Sequence, residues 1–532
     1  MKNLFYFTLA LILMSGCGNS KEETAAEKEN VINQPEDGCY NTAKPYTRWW
    51  WFASVIDTND IKYQLRWAKE NNFGGVEVSW VYPLIDTTEP RIAWLSEEWS
   101  EVVAFAKQYA DKIGLGMDYT FGTLWPFGDS KVPAEDGSMQ YGDTVSPFDI
   151  YKSWECPVRG RVIDHMNRKA LEHYAERVGG GLKDAMKGSK SGLFCDSWEV
   201  ETRKIWTKGF GEKFTETYGY DIRPYMDSIL SPGYEEMFYD YMKLVSQYVL
   251  DEFYRPFTEI SHELGGFSRA QVSGAPVDLL TAYAAVDVPE SEAILYEPHY
   301  SRIPASAACL VSQPVISSET FTCTYGWKGW PGPGPYQKQE QVADLKLICD
   351  ALFANGVNLI VWHGMPFNGK GDTNMFYASV HVGEDSYFAD EIPAFNKYME
   401  TVGSYMQKGK TYSDIAVYIP LEDAWMDVFM PDSLQFKWAW GAYEMRYVEF
   451  PEALAGYHPL WINKHFLEKG TVKDKKLHTG DAVFNMLYID VDYIDYEALK
   501  VIKSIAGQGL PVCLLNRSEE RRVGKECATG CR

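Results

Sequence analysis

The sequence predicts an α/β protein whose main body is a (β/α)8 TIM-type barrel, and three observations carry that expectation. Short apolar runs alternate with amphipathic stretches from residue 46 to about 370, eight such runs occur, and nearly every one ends in polar residues. The runs are TRWWWF (47–52), FGGVEVSW (73–80), GLGMDYTFG (114–122), GLFCDSW (192–198), GFSRAQVSG (266–274), AAVDVPE (284–290), PVISSETF (314–321) and GVNLIVWHG (356–364). Helical periodicity falls between them at 58–71, 97–112, 164–178 after an aromatic-rich insertion, 234–263 and 339–354. A doubly wound open sheet shares this alternation and is the competing arrangement. From Ser413 a new pattern begins: SDIAVYIP, DAVFNMLYID and GLPVCLLN predict a partial second α/β domain over 411–516, behind a barrel at 41–410.

Composition narrows the partners. Of 532 residues 45% are hydrophobic, enough for a large core, and the formal net charge of -23 opposes binding to nucleic acid, whose phosphates it would repel. A neutral oligo- or polysaccharide suits this charge better. The 18 Trp, 35 Tyr and 26 Phe supply flat apolar faces on which sugars stack, although most must fill core. Ten cysteines are scattered without a C-x-x-C pair, so few or no disulfides and no zinc site are expected.

The two ends differ from the body. MKNLFYFTLALILMSGC has a basic start, an apolar run too short to span a bilayer, and small residues before Cys17. It reads as a lipoprotein signal peptide, 1–17, with lipidation at Cys17. Gly18 in place of Asp favours an outer-membrane lipoprotein, facing the periplasm or the cell surface, whose only membrane contact is the lipid. Residues 18–40 are polar and aperiodic, the composition of a flexible tether. RSEERRVGKECATGCR, spanning 517–532, is abruptly basic and reads as a non-native tail on a truncated product.

Strand ends are where a barrel of this kind carries its chemistry. In order they offer Arg48 and Trp51; Glu77; Asp118 and Trp125; Asp196 and Glu199; Arg269 and Gln271; Asp287, Glu290 and Glu292; Glu319; and His363. Several carboxylates beside tryptophans in one pocket are what glycosidic-bond hydrolysis requires. One acid protonates the leaving oxygen, and a second carboxylate activates water or attacks the sugar.

Seven stretches in this order, TRWWWF, NFGGVEV, CDSWE, RAQVSGAPVDLL, VDVPESE, SSETFT and GVNLIVWHG, resemble the bacterial α-L-rhamnosidases of glycoside hydrolase family 106. The resemblance implies a (β/α)8 catalytic domain with β-rich and α/β accessory domains, an inverting mechanism on terminal α-L-rhamnosyl or similar deoxysugar linkages, and a calcium ion that helps hold the sugar. Carried over by motif, Glu199 is the general acid and Glu319 the general base, with Glu290 or Glu292 touching sugar or calcium. Asp196, Arg269 and His363 are candidate sugar-hydroxyl partners, Trp51, Trp125 and Trp198 candidate stacking surfaces, and Asp118 a further substrate-binding candidate. No D-x-D-x-D-G loop occurs, so calcium ligands would come from residues distant in sequence. A retaining glycosidase of other specificity and a non-catalytic glycan-binding lipoprotein remain the alternatives.

Overall fold

The computed structural model describes residues 43–51, 56–80, 92–122, 128–144, 160–198, 200, 202–293, 298–322, 324, 339–372, 380–426, 449–515 and 521–523. Eight parallel strands close into a barrel: β1 (Tyr46–Trp51), β2 (Gly75–Trp80), β3 (Gly116–Thr120), β4 (Gly192–Cys195), β5 (Phe267–Gln271), β6 (Val288–Glu292), β7 (Ser317–Thr320) and β8 (Leu359–Pro366). Each pairs with its neighbours in chain order, and β8 returns to pair with β1, so the closed barrel replaces the open doubly wound sheet as the arrangement. Every predicted run overlaps one of these strands. The largest displacement is at the sixth, where Leu279–Tyr283 form a short helix, Ala284 ends it, and the strand starts only at Val288.

Helices cover the outside. They include α1 (Thr58–Glu70), α2 (Glu97–Ile113), α3 (Arg168–Leu182), α4 (Glu235–Val249), α5 (Arg255–Glu263), α6 (Leu279–Tyr283), α7 (Arg302–Val311), α8 (Val342–Ala354) and α9 (Ile392–Met406). Local chemistry sets several of their ends. Asp57 accepts from Asn59 N at the start of α1, Ser96 accepts from Trp99 N at the start of α2, and Gly114 takes φ 69° where α2 stops. The predicted helix 234–263 is continuous, but Leu250–Tyr254 form a π-helical turn between α4 and α5.

The second unit is a four-stranded parallel sheet: β9 (Ile415–Tyr418), β10 (Leu460–Ile462), β11 (Met486–Ile489) and β12 (Val512–Leu514), in the order β10-β9-β11-β12. It docks on the barrel's helical layer. Asn463 donates to Asp278 and Thr281 at 2.6 and 2.8 Å, Trp461 N donates to Ser306 at 2.9 Å, and Asp495 accepts from Tyr239 and Lys243 of α4. The signal peptide, Cys17 and the tether lie outside the described residues. Of the 517–532 tail, only Arg521–Val523 is described, as a short strand beside Tyr493–Asp495. Described cysteines 195, 309, 349 and 513 are free thiols. No described helix is long and apolar enough to cross a membrane.

Strand alternation decides what fills the barrel. At one end Tyr46 points inward with Leu359 and Val361. Its ring lies against Gly75 and Gly116, where a Cβ on Gly75 would meet the tyrosine ring and stand 2.8 Å from Gly116 O. Gly75→Ala is therefore expected to lower unfolding free energy by about 1–3 kcal/mol through overpacking. The check is a urea titration, in which the midpoint falls and the slope is retained.

Candidate active site

Beyond Tyr46, the interior of this barrel is ionic. Two steps along β1, Arg48 is fully buried, and its Nε lies 3.3 Å from Glu77 Oε1 on β2 while its Nη2 lies 3.3 Å from Glu290 Oε1 on β6. Arg269 on β5 closes the figure, pairing through Nη2 with Glu77 Oε2 and through Nη1 with Glu290 Oε2 at 3.1 Å. The four side chains form a ring of alternating charge, with both guanidiniums over the Phe194 ring at 4.3 and 4.9 Å. Hydroxyls complete it: Thr120 donates to Glu77 at 2.8 Å and Ser317 to Glu290 at 2.9 Å. Buried ions are tolerated only when paired and hydrogen-bonded in this way, and removing one partner typically costs about 3–5 kcal/mol.

Glu319 is attached to this ring from β7. Its Oε2 accepts from Arg48 Nη1 at 2.6 Å and from Gln271 Nε2 at 2.7 Å, and its Oε1 accepts from Thr322 Oγ1 at 2.8 Å and lies 3.4 Å from His363 Nε2. Burial by itself would raise its pKa, but the charge of Arg48, the imidazole of His363 and these hydrogen bonds outweigh it and hold the carboxyl down at about 2. Glu319 is therefore ionised across the working range.

Asp196, just past β4, shares the same guanidinium nitrogen, with Oδ2 3.7 Å from Arg48 Nη1. Its side chain is 12% exposed against 5% for Glu319, the more open of the two. Burial, only partly offset by Arg48 and reinforced by Glu319's charge, pushes Asp196 up to about 7. Two carboxyl groups on one arginine are thus driven apart in acidity, the condition under which such a pair divides into a proton holder and an anion. Asp118 is deeper: burial raises it to about 7 although Gly192 N donates to it at 2.7 Å.

The structure brings together Asp118, Asp196, Arg269, Glu290, Glu292, Glu319 and His363 in the barrel interior. Both Glu290 and Glu292 face inward, Glu292 beside Ser273 Oγ at 3.5 Å. Four expectations are corrected. Trp51 faces outward, edge-on to Trp49 at 5.0 Å and beside Trp80 and Phe367, because alternation from Arg48 sends Trp50 inward instead; Trp50 lies edge-on to His363 at 4.9 Å. Arg269, expected beside sugar hydroxyls, is instead buried in the ring with Glu77 and Glu290. Asp287 precedes β6, where it accepts from Ser268 N and pairs with His262. Trp198 is buried against His165, ring centroids 4.2 Å apart, so that face is covered. Glu199 and Trp125 lie outside the described residues.

Calcium does not fit at Glu290. Its Oε1 faces Arg48 and Gln271 and its Oε2 faces Arg269 and Ser317, so a divalent ion there would meet two guanidiniums at close range. Among the described residues no group of three or more His, Cys, Asp or Glu side chains is arranged to hold a metal.

Arg48, Glu77 and Gln271 carry no assigned role in the sequence reading, and Thr322 and Trp50 are not singled out by it. Arg48, Glu77 and Gln271 do stand at strand ends in the sequence, which is the signal that points to them. For Asp118, the folded pKa of about 7 lies above the ordinary value of ~3.9. Its contribution is complete below the unfolded pKa and is lost as pH rises through the folded one. Wild type should therefore lose roughly 2–4 kcal/mol relative to Asp118→Asn between about pH 4.5 and 8. Urea unfolding of both proteins at the two pH values measures this.

Comparison with known proteins follows the same lines. The family described as α-L-rhamnosidase, glycoside hydrolase family 106, matches residues 157–513. No curated protein matches the chain. Among solved structures, a rhamnosidase from Novosphingobium sp. PP1Y superposes with TM-score 0.68 at 13% identity, covering 90% of this chain and 69% of that one. The β-galactosidase from Bacillus circulans sp. alkalophilus gives TM-score 0.59 at 10% identity, covering 88% and 70%. That from the psychrophilic Marinomonas ef1 gives 0.56 at 11%, covering 87% and 74%. At these identities the likeness to solved structures is one of fold, whereas the family match spans more than half of the sequence. On that match, the chain belongs to glycoside hydrolase family 106, the α-L-rhamnosidase family.

Proposed function

We propose that this protein hydrolyses terminal α-L-rhamnosyl, or similar deoxysugar, linkages of plant or algal polysaccharide by single displacement, with inversion at the anomeric carbon. The observation that carries this reading is Glu319, a buried carboxylate kept ionised at a strand end beside a second carboxyl group, Asp196, raised to about 7. Glu319 is the base that takes a proton from the attacking water. Glu199, three residues beyond Asp196 in the CDSWE stretch, is the acid that protonates the leaving oxygen.

The charge balance of the interior favours this chemistry. Glu77 and Glu290 match the two arginines, so the charge of Glu319 is in surplus and stabilises an oxocarbenium-like transition state. A carboxylate held at about 2 is a weak base, so it takes the proton only as the C–O bond to water forms. Glu292, nearer the open end than Glu290 and not part of the ionic ring, is the member of that pair placed to contact sugar. In this account the N-terminal lipid at Cys17 tethers the enzyme to the outer membrane, where long polysaccharide chains are first met.

Glu319→Gln and Glu199→Gln should each lower turnover of a chromogenic α-L-rhamnoside by at least about 1000-fold while leaving the fold intact by circular dichroism. Proton NMR of the first product formed by wild type should show the β-anomer. Initial release of the α-anomer would establish a retaining enzyme, and undiminished activity in both variants would overturn the assignment of acid and base.

A further inference from the structure

Glu319 presents its two oxygens unequally. Oε2 has two donors at 2.6 and 2.7 Å, from Arg48 and Gln271, which uses both of its lone-pair directions. Among the described residues, Oε1 has one donor within ordinary hydrogen-bond range, Thr322 at 2.8 Å, and a longer approach of 3.4 Å from His363 Nε2. A proton can therefore be accepted only at Oε1, on the side where His363 stands.

We propose that His363 is a second holder of the nucleophilic water, which it fixes together with Glu319 Oε1. The 3.4 Å separation lets one water sit ~2.8 Å from both atoms, at the apex of a triangle with an angle of about 75° at the water. Burial, opposed by the charge of Glu319 and assisted by Arg48, holds the imidazole down at about 4, so the ring is neutral. Facing a carboxylate, Nε2 carries the ring proton and donates it to one lone pair of the water. One water O–H then points at Oε1 and the remaining lone pair is free for the anomeric carbon. As the C–O bond to water forms, the proton passes to Glu319; as the glycosidic bond breaks, its electron pair leaves with the departing oxygen, which takes the acid's proton. His363 exchanges no proton.

Trp50 fixes the imidazole in this place. Its indole Nε1 donates to the backbone carbonyl of His363, and its ring meets the imidazole edge-on at 4.9 Å. The run of three tryptophans after Arg48 thus has one member that serves the site directly, by orienting another side chain.

This inference rests on the rhamnosidase reading and sharpens it, because a sugar-hydroxyl partner and a water holder leave different kinetic marks. The test compares wild type with His363→Ala, His363→Gln and Trp50→Phe, measuring kcat on the chromogenic rhamnoside, Kd for L-rhamnose by calorimetry, and thermal unfolding. His363→Ala should lose about 100-fold in kcat with Kd within about twofold of wild type. His363→Gln, which keeps an N–H donor, should recover part of the loss, and Trp50→Phe should lose about tenfold. If His363→Ala does not fold, the other two variants decide. A kcat within about threefold of wild type in every folded variant, or a weakening of Kd equal to the fall in kcat, would overturn the proposal. A wild type that releases no sugar removes the rhamnosidase reading and this inference with it, whereas an active wild type with unaffected variants removes this one alone.

Discussion

Arg48 and Arg269, held between Glu77 and Glu290, are the constraint on which the rest of this barrel depends. Barrel interiors are ordinarily filled by branched hydrocarbon in layers. Here two guanidiniums and two carboxylates occupy one such level, joined end to end over the face of Phe194. Because each ion's partners come from different strands, β1, β2, β5 and β6 must hold their mutual register for any one of them to be paired. The ionic ring and the closed hydrogen-bonded barrel therefore require each other.

That ring also sets the acidity of what lies beyond it. Arg48 has one nitrogen left for two carboxyl groups and approaches Glu319 more closely than Asp196, 2.6 against 3.7 Å. The nearer is stabilised as an anion; the farther, buried and beside that anion, is raised to about 7. A difference of about 1 Å in the placement of one arginine thus separates two chemically similar groups. Gln271 and Thr322 fix Glu319 by donating to its two oxygens, and Trp50 packs edge-on to His363.

The fold was largely legible in the sequence because strand-forming runs buried on both faces stand out from amphipathic helices by length and period. The exception shows why. VPESE was read too early, from its preceding alanines, since a strand with two buried glutamates does not look like one by hydropathy; its inward face is ionic because the partners are arginines from other strands. TRWWWF has no alternation to read, so the direction of its tryptophans was open until Arg48 was known to point inward. Glu319, Glu290, Glu292, Asp196 and His363 could be found from their positions at strand ends. That Arg269 pairs with Glu77 and Glu290 could not, because its partners come from strands distant in sequence.

On the proposed function, this ring holds Glu319 beneath the anomeric carbon of a bound sugar. A crystal structure of Glu319→Gln with a rhamnose-terminated oligosaccharide tests it most directly. The account predicts the terminal sugar over residues 319 and 363, its anomeric carbon on the side of Oε1 and Nε2, with Arg48 and Arg269 still joined through Glu77 and Glu290. A sugar seated elsewhere, or an arginine drawn out of the ring to bind it, would contradict the account.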